Sequence, residues 1–228
     1  MRERMKGVVR DFVFGMEDGL VSNLGLVLGV YVGGGNTFTI VLAGLASMFA
    51  GAFSMSAGSY LSAKAQREVY EHEIEETRNF LEKNPRKCYD NMKTALMKEG
   101  LGKTEIDALF KKSSKYKHPE FVCNYMVQKK VGISKEKLDA PLENALTMFL
   151  SFLVGSAFPI MPFIFLSSGM TAVKVAVVLT ISVLFMVGWA KTYFTRRSWF
   201  KSGMEVVIVG VGAGIIGYLV GWLVGIIA

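Results

Sequence analysis

Three acidic residues, Asp11, Glu17 and Asp18, stand in or beside the first long apolar stretch of this 228-residue chain. Ionisable groups inside a membrane helix are costly and need a reason. Asp11 and Asp18 are seven residues apart, two helical turns, and so share one helix face. Glu17 lies about 100° round the helix from Asp18. Two readings stand side by side. Asp11 is either an interfacial residue that pairs with Arg10 or helps the helix start, or an acid at the mouth of a polar path. Asp18, deeper in, is either half of a structural salt bridge, with Lys191 as a candidate partner, or a ligand on a cation path. Few and acidic, these groups suit a cation that is not bulky. Met55, in Ser54-Met55-Ser56-Ala57-Gly58, is the next candidate. A membrane methionine is more often packing than ligand. As a ligand its soft thioether suits transition metals, whereas Mg²⁺ and Ca²⁺ prefer oxygen. Asp18 with Met55 would favour Fe²⁺, Mn²⁺ or similar ions. A further set, Glu68, Glu71, His72 and Glu75, is spaced three to four apart on one helix face, where a solvated face of paired charges is the competing reading. The chain contains no HExxH, CxxC pair, P-loop or GxSxG, so metalloprotease, structural zinc, ATPase and serine-hydrolase chemistry lack their motifs and no enzyme is expected.

The elements that must position these residues are apolar and long. The composition is 51% hydrophobic and 20% charged, and the charges are segregated. Segments 12–32, 39–61, 142–166, 171–190 and 206–227 are nearly all apolar or small. Each has roughly the 20 residues that cross about 30 Å of hydrocarbon. Their continuous runs argue for helices over alternating barrel strands. Too little polar sequence remains to coat five such helices in a soluble protein. The expected class is an all-α membrane protein: five transmembrane helices with a cytoplasmic helical insert between the second and third. Residues 1–61 hold the first two spans, 62–141 the insert, and 142–228 the last three. No small-residue cleavage site follows the basic N-terminus, so the first apolar run reads as a retained helix.

Charge sets the expected topology. The net charge of +7 is concentrated in the N-terminus, in 62–141 and in the link 191–201 with Lys191, Arg196, Arg197 and Lys201. The links 33–38 and 167–171 carry no charge. Five spans put all the basic clusters on one side, which the positive-inside rule makes cytoplasmic, with the C-terminus outside. The basic character reflects topology and lipid contact rather than nucleic acid. Cys88 and Cys123 could form one disulfide, but that topology keeps both thiols reduced.

The insert reads as helical throughout. The second span runs on through 63–83, with Asn84-Pro85 as the first breaker. A helix over 85–99 ends at Gly100. A short one over 104–112 has Thr104 and Asp107 as a capping pair. A last helix over 119–132 carries Phe121, Tyr125 and Met126 on an apolar face. Small residues recur every three or four positions: Gly15 and Gly19; Gly25, Gly29 and Gly33; Gly51, Ser54 and Gly58; and Gly210, Gly214, Gly217, Gly221 and Gly225. Such spacing lets helix backbones approach closely in a bilayer and permits a dimer.

With these residues in view, the chain resembles the vacuolar iron transporter family, which includes the yeast-type iron and manganese vacuolar carriers. The resemblance rests on Arg10-Asp11-Phe-Val-Phe-Gly15-Met-Glu-Asp18-Gly19-Leu20 and Gly51-Ala-Phe-Ser54-Met55-Ser-Ala-Gly58-Ser-Tyr60-Leu61-Ser-Ala-Lys64. It rests also on Pro159-Ile-Met-Pro162 and Gly188-Trp-Ala-Lys191. It implies a homodimer whose first helices line a metal path, and exchange of Fe²⁺ or a similar ion against protons, moving metal out of the cytosol. It implies Asp18 and Met55 as membrane ligands and Asp11 as an acid at the cytosolic mouth. A carboxylate there binds either metal or proton, and that competition is a simple basis for antiport. The insert departs from the family pattern. Thr77, Phe80, Cys88, Asn91 and Lys130 stand where glutamates that gather metal are expected, Met126 alone matches, and Ser47 replaces an acid of the second span. The departures favour, as the alternative to a transporter, a membrane scaffold or sensor with a degenerate insert. No cofactor beyond a transported ion is implied.

Overall fold

Glycine and asparagine between the first two apolar runs decide where the first helix stops and the second begins. In the computed structural model, α1 spans Arg2–Val32 and α2 spans Thr37–Lys83. The Gly35 N–H donates to the Val30 carbonyl at 2.9 Å and the Gly34 N–H to that of Tyr31 at 3.2 Å, with Gly34 at φ 88°. These two bonds close the end of α1 and need a residue that tolerates the left-handed region. Asn36 then caps α2: its Oδ1 accepts from the Thr39 N–H at 2.9 Å and from the Thr39 hydroxyl at 3.0 Å.

The structure describes residues 2–84, 141–167, 169–195 and 198–227, and within 85–108 residues 90, 93–94, 96–98, 100–106 and 108. Three further long helices follow: α3 Pro141–Phe165, α4 Gly169–Thr195 and α5 Trp199–Ile227. Five helices are long and apolar enough to cross a membrane, over Gly7–Val32, Thr37–Phe80, Pro141–Phe165, Gly169–Tyr193 and Trp199–Ile227. All the long elements are helical, as expected. The last begins seven residues before the expected 206, because helical hydrogen bonding carries on into the polar and aromatic residues that flank the hydrocarbon. There the rings of Phe185, Trp199 and Phe200 pack edge to face, with centroids 5.7–6.3 Å apart.

The chain divides into two compact units, one made by 4–63 with 140–228 and the other by 64–139. In the first unit, close backbone approach sets which helix meets which. A Cβ on Gly25 would stand 3.1 Å from the Ala213 carbonyl, and one on Gly29 2.9 Å from that of Gly217. Cβ atoms on Gly217 and Gly221 would run into the carbonyls of Gly25 and Gly29. The pairing climbs in the same direction on both helices, so α1 and α5 are parallel. On another side of α1, a Cβ on Gly19 would sit 2.5 Å from the Phe152 carbonyl, and one on Gly155 2.5 Å from that of Met16, which makes α3 a second parallel neighbour. The small residues of α1 are thus engaged within the chain, by α3 and α5. Two apolar clusters fill the interior: Met16, Leu20, Leu184, Val187 and Val206, and, farther along α1, Val27, Ile40, Ile160, Phe163, Ala172 and Ala176.

In the second unit, α2 continues unbroken to Lys83, and the Asn84 N–H and Nδ2 both bond to the Phe80 carbonyl at 3.1 Å. Gly100, at φ 94°, closes a helical turn: its N–H reaches the Met97 carbonyl and the Leu101 N–H reaches that of Leu96. The following turn begins earlier than expected. Gly102 occupies the cap position and Glu105 Oε2, three residues on, accepts from its N–H at 2.8 Å, while Asp107 of the expected capping pair lies outside the described residues. The expected helix over 119–132 and both cysteines lie outside the described residues.

Candidate metal site

Asp11 is 3% exposed and engaged from three helices. The Arg10 Nε donates to its Oδ1 at 3.0 Å, and the Ser59 hydroxyl of α2 donates to its Oδ2 at 3.2 Å. The Ser151 hydroxyl of α3 reaches its backbone carbonyl at 3.4 Å. A buried carboxylate is tolerable when paired and hydrogen-bonded in this way. The pairing with Arg10 is the interfacial alternative weighed for this residue. Ser59 and Ser151 are partners that the sequence did not single out, since a serine near a helix end carries no signal of what it faces.

Glu17 and Asp18 are half-buried, two turns farther along α1. Lys191 of α4 acts electrostatically on Glu17, the neighbour of the acid for which a salt bridge was considered. The Asp18 carboxylate is in no ion pair among the described residues, and the Ser22 hydroxyl donates to the Asp18 carbonyl at 2.6 Å. A carboxylate with that little engagement keeps its oxygens available for a ligand.

Register places Met55 with respect to these acids. Asp11 meets Ser59, and the hairpin through 33–36 makes α1 and α2 antiparallel. From Ser59 back to Met55 is about 6 Å along α2, and from Asp11 on to Asp18 about 10 Å along α1, at about 1.5 Å per residue. Both steps run toward the 33–36 turn, so the half-buried Met55 falls within roughly one turn of the level of Asp18. Ser47, on the same helix, is half-buried as well.

The polar continuation of α2 is different. Glu68 pairs with Lys64 at 3.7 Å and Glu71 with Arg67 at 2.7 Å, each one turn apart and exposed. His72 and Glu75 are exposed too. Exposed pairs of this kind add little stability and keep both carboxylates in solvent. Among the described residues, no three His, Cys, Asp or Glu side chains come together as a metal site. Thr77 is buried and Phe80 is 43% exposed, while Cys88, Asn91, Met126 and Lys130 lie outside the described residues. Glu205 is a further acid that the sequence reading passed over: with α5 starting at Trp199, it lies inside the fifth apolar helix and is exposed.

Five apolar helices, the first carrying carboxylates at depth, define a multi-pass membrane protein with a polar site in the membrane-spanning unit. The family model described as the VIT family matches residues 9–222, and the chain belongs to that family. It is 28% identical over 207 residues to "Vacuolar iron transporter 1" of Eucalyptus grandis, covering 89% of this chain and 81% of that protein. The protein of the same name from Arabidopsis thaliana is 27% identical, at 89% and 80% coverage. "Protein CCC1" of Saccharomyces cerevisiae is 26% identical, at 91% and 66%. The family is one of transporters, not of enzymes.

Proposed function

We propose that this chain is a divalent metal transporter, for Fe²⁺ and/or Mn²⁺, which exchanges the metal for protons and exports it from the cytoplasm. Asp18 and Met55 bind the ion, Asp11 draws it in, and Glu17 lends charge beside the site. The observation that supports this reading is the Asp11–Ser59 bond, from which register brings Met55 within roughly one turn of the level of Asp18, together with an Asp18 carboxylate in no ion pair among the described residues. An oxygen and a thioether together favour a transition metal over Mg²⁺ or Ca²⁺. The names of the relatives support iron as the cargo. The protein works as a homodimer with the N-terminus and the insert in the cytoplasm and the C-terminus on the other side, in line with the basic clusters and the positive-inside rule. Met126, Glu68, Glu71, His72 and Glu75 are secondary candidates for gathering metal in the insert.

Uptake of Fe²⁺, Mn²⁺, Co²⁺ and Zn²⁺ into liposomes carrying the purified protein, with and without a pH gradient, tests the assignment. Asp18→Asn is expected to bring uptake down to the level of empty liposomes while leaving the unfolding midpoint near that of the parent, and Met55→Ala to change the ranking of the metals. Transport retained in Asp18→Asn would sink the site. Flux indifferent to the pH gradient would remove the proton coupling. No flux of any ion from folded protein would turn the search to partners of a scaffold.

A further inference from the structure

Among the described residues five buried side chains leave a polar atom without a partner, Asn144 and Ser202 among them, and three of the five are wholly buried with an unmatched oxygen: Asn23 of α1, Ser156 of α3 and Thr180 of α4. Serine and threonine in a helix ordinarily satisfy themselves on a carbonyl one turn back, and these two do not.

Their positions fall in one layer. The Asn23 Nδ2 donates back to the Gly19 carbonyl at 3.4 Å, which lays the side chain along α1 toward Gly19. A Cβ on Gly19 would stand 2.9 Å from Ser156 Oγ, so Asn23 and Ser156 border the same step of the α1–α3 seam. Asn23 lies between Leu20 of one apolar cluster and Val27 of the other. Thr180 lies likewise between Leu184 of the first and Ala176 of the second. Pro159 has no N–H, so the Gly155 carbonyl beside Ser156 loses its helical donor. The layer is separate from the carboxylates, since five residues put Asn23 about 140° round α1 from Asp18.

An unmatched polar layer has no water from the bilayer to satisfy it. Asn23 Oδ1 and the Gly155 carbonyl offer acceptors, and the hydroxyls of Ser156 and Thr180 each have a hydrogen to donate. One water donates two bonds and accepts two, which matches that count. A metal ion would leave both hydroxyl hydrogens without acceptors. We propose that Asn23, Ser156 and Thr180 hold a buried water molecule that joins α1, α3 and α4 between the two apolar clusters.

Radiolytic hydroxyl-radical labelling in ¹⁸O water, read by mass spectrometry on the full-length protein in detergent, tests this. Leu20, Leu24 and Leu184, all buried, are expected to take up label in the parent and to lose it in Asn23→Leu/Thr180→Val. The unfolding midpoints of the two single variants and the double variant are expected to be non-additive, because both residues share one water. Ser156→Ala removes a single oxygen and gives the same readouts should the larger changes prevent folding. Absent label with additive midpoints would overturn the proposal in favour of a dry layer. A midpoint that falls when choline replaces sodium, in the parent but not in the double variant, would overturn it in favour of a cation.

Discussion

Along α1 the N-terminal half, near Asp11 to Gly19, and the C-terminal half, from Gly25 to Gly33, carry glycines at the same four-residue spacing and use them differently. In the C-terminal half the backbone meets the backbone of α5, with Gly25, Gly29 and Gly33 against Ala213, Gly217 and Gly221. No charged side chain of α1 lies in that stretch. In the N-terminal half Gly15 and Gly19 admit α3, while the same stretch carries Asp11, held by Arg10 and Ser59, and the half-buried Glu17 and Asp18. One small-residue pattern thus knits a rigid seam at one end and, at the other, brings a second helix close while leaving carboxylates on the remaining faces. The lesson is that the glycine stripe of α1 reports contact within the protomer and carries no argument for the proposed dimer.

Substitutions can break or sharpen this contrast. Gly217→Ala places a methyl against the Gly25 carbonyl in a contact with no flexible side chain to yield, and should destabilise by about 1–3 kcal/mol in thermal or denaturant unfolding in detergent. Gly58→Ala, with nothing within 4 Å of the added carbon, should stay within about 0.5 kcal/mol. Equal effects at the two sites would mean that backbone contact is not what holds the C-terminal half of α1 against α5. Gly34→Ala should cost about 1 kcal/mol, from the left-handed backbone at φ 88°, with no packing change to confuse the reading. A small effect on stability is also expected near Asp11. Ser59→Ala removes one hydrogen bond to Asp11, worth about 0.6 kcal/mol in membrane proteins, so the unfolding midpoint should scarcely move. Its signature is functional: with Asp11 loosened, the metal concentration for half-maximal uptake should shift. An unchanged value would separate Asp11 from metal entry and leave it a structural pair with Arg10.

Much of the architecture was legible because it is a local property. The unbroken α2 follows from the absence of a breaker before Asn84-Pro85, and the turn at 33–36 from Gly34 and Asn36. The start of α5 was misplaced because hydropathy marks where apolar residues begin, whereas a helix begins where its hydrogen bonds do; that error hid Glu205. The turn after Gly100 begins two residues before the expected Thr104, because a glycine at a helix start carries no capping side chain to announce it and the Glu105 side chain supplies the bond instead. At the site, acids in an apolar run announced themselves, since an ionisable group there is anomalous by position alone. Ser59, Ser151 and Asn23 gave no such signal, being ordinary residues for a membrane helix.

The sequence by itself determined the number of apolar helices, the break between α1 and α2 and the candidate acids, because each depends on residues adjacent along one segment. Only the tertiary structure decided that α1 faces α3 at Gly19 and α5 at Gly29, that Asp11 is gripped by Ser59, and that the polar side chains of Asn23, Ser156 and Thr180 are buried. Those facts turn on how helices up to nearly two hundred residues apart in sequence are set against one another, and backbone contact, side-chain burial and hydrogen-bond direction settle that together rather than any segment alone.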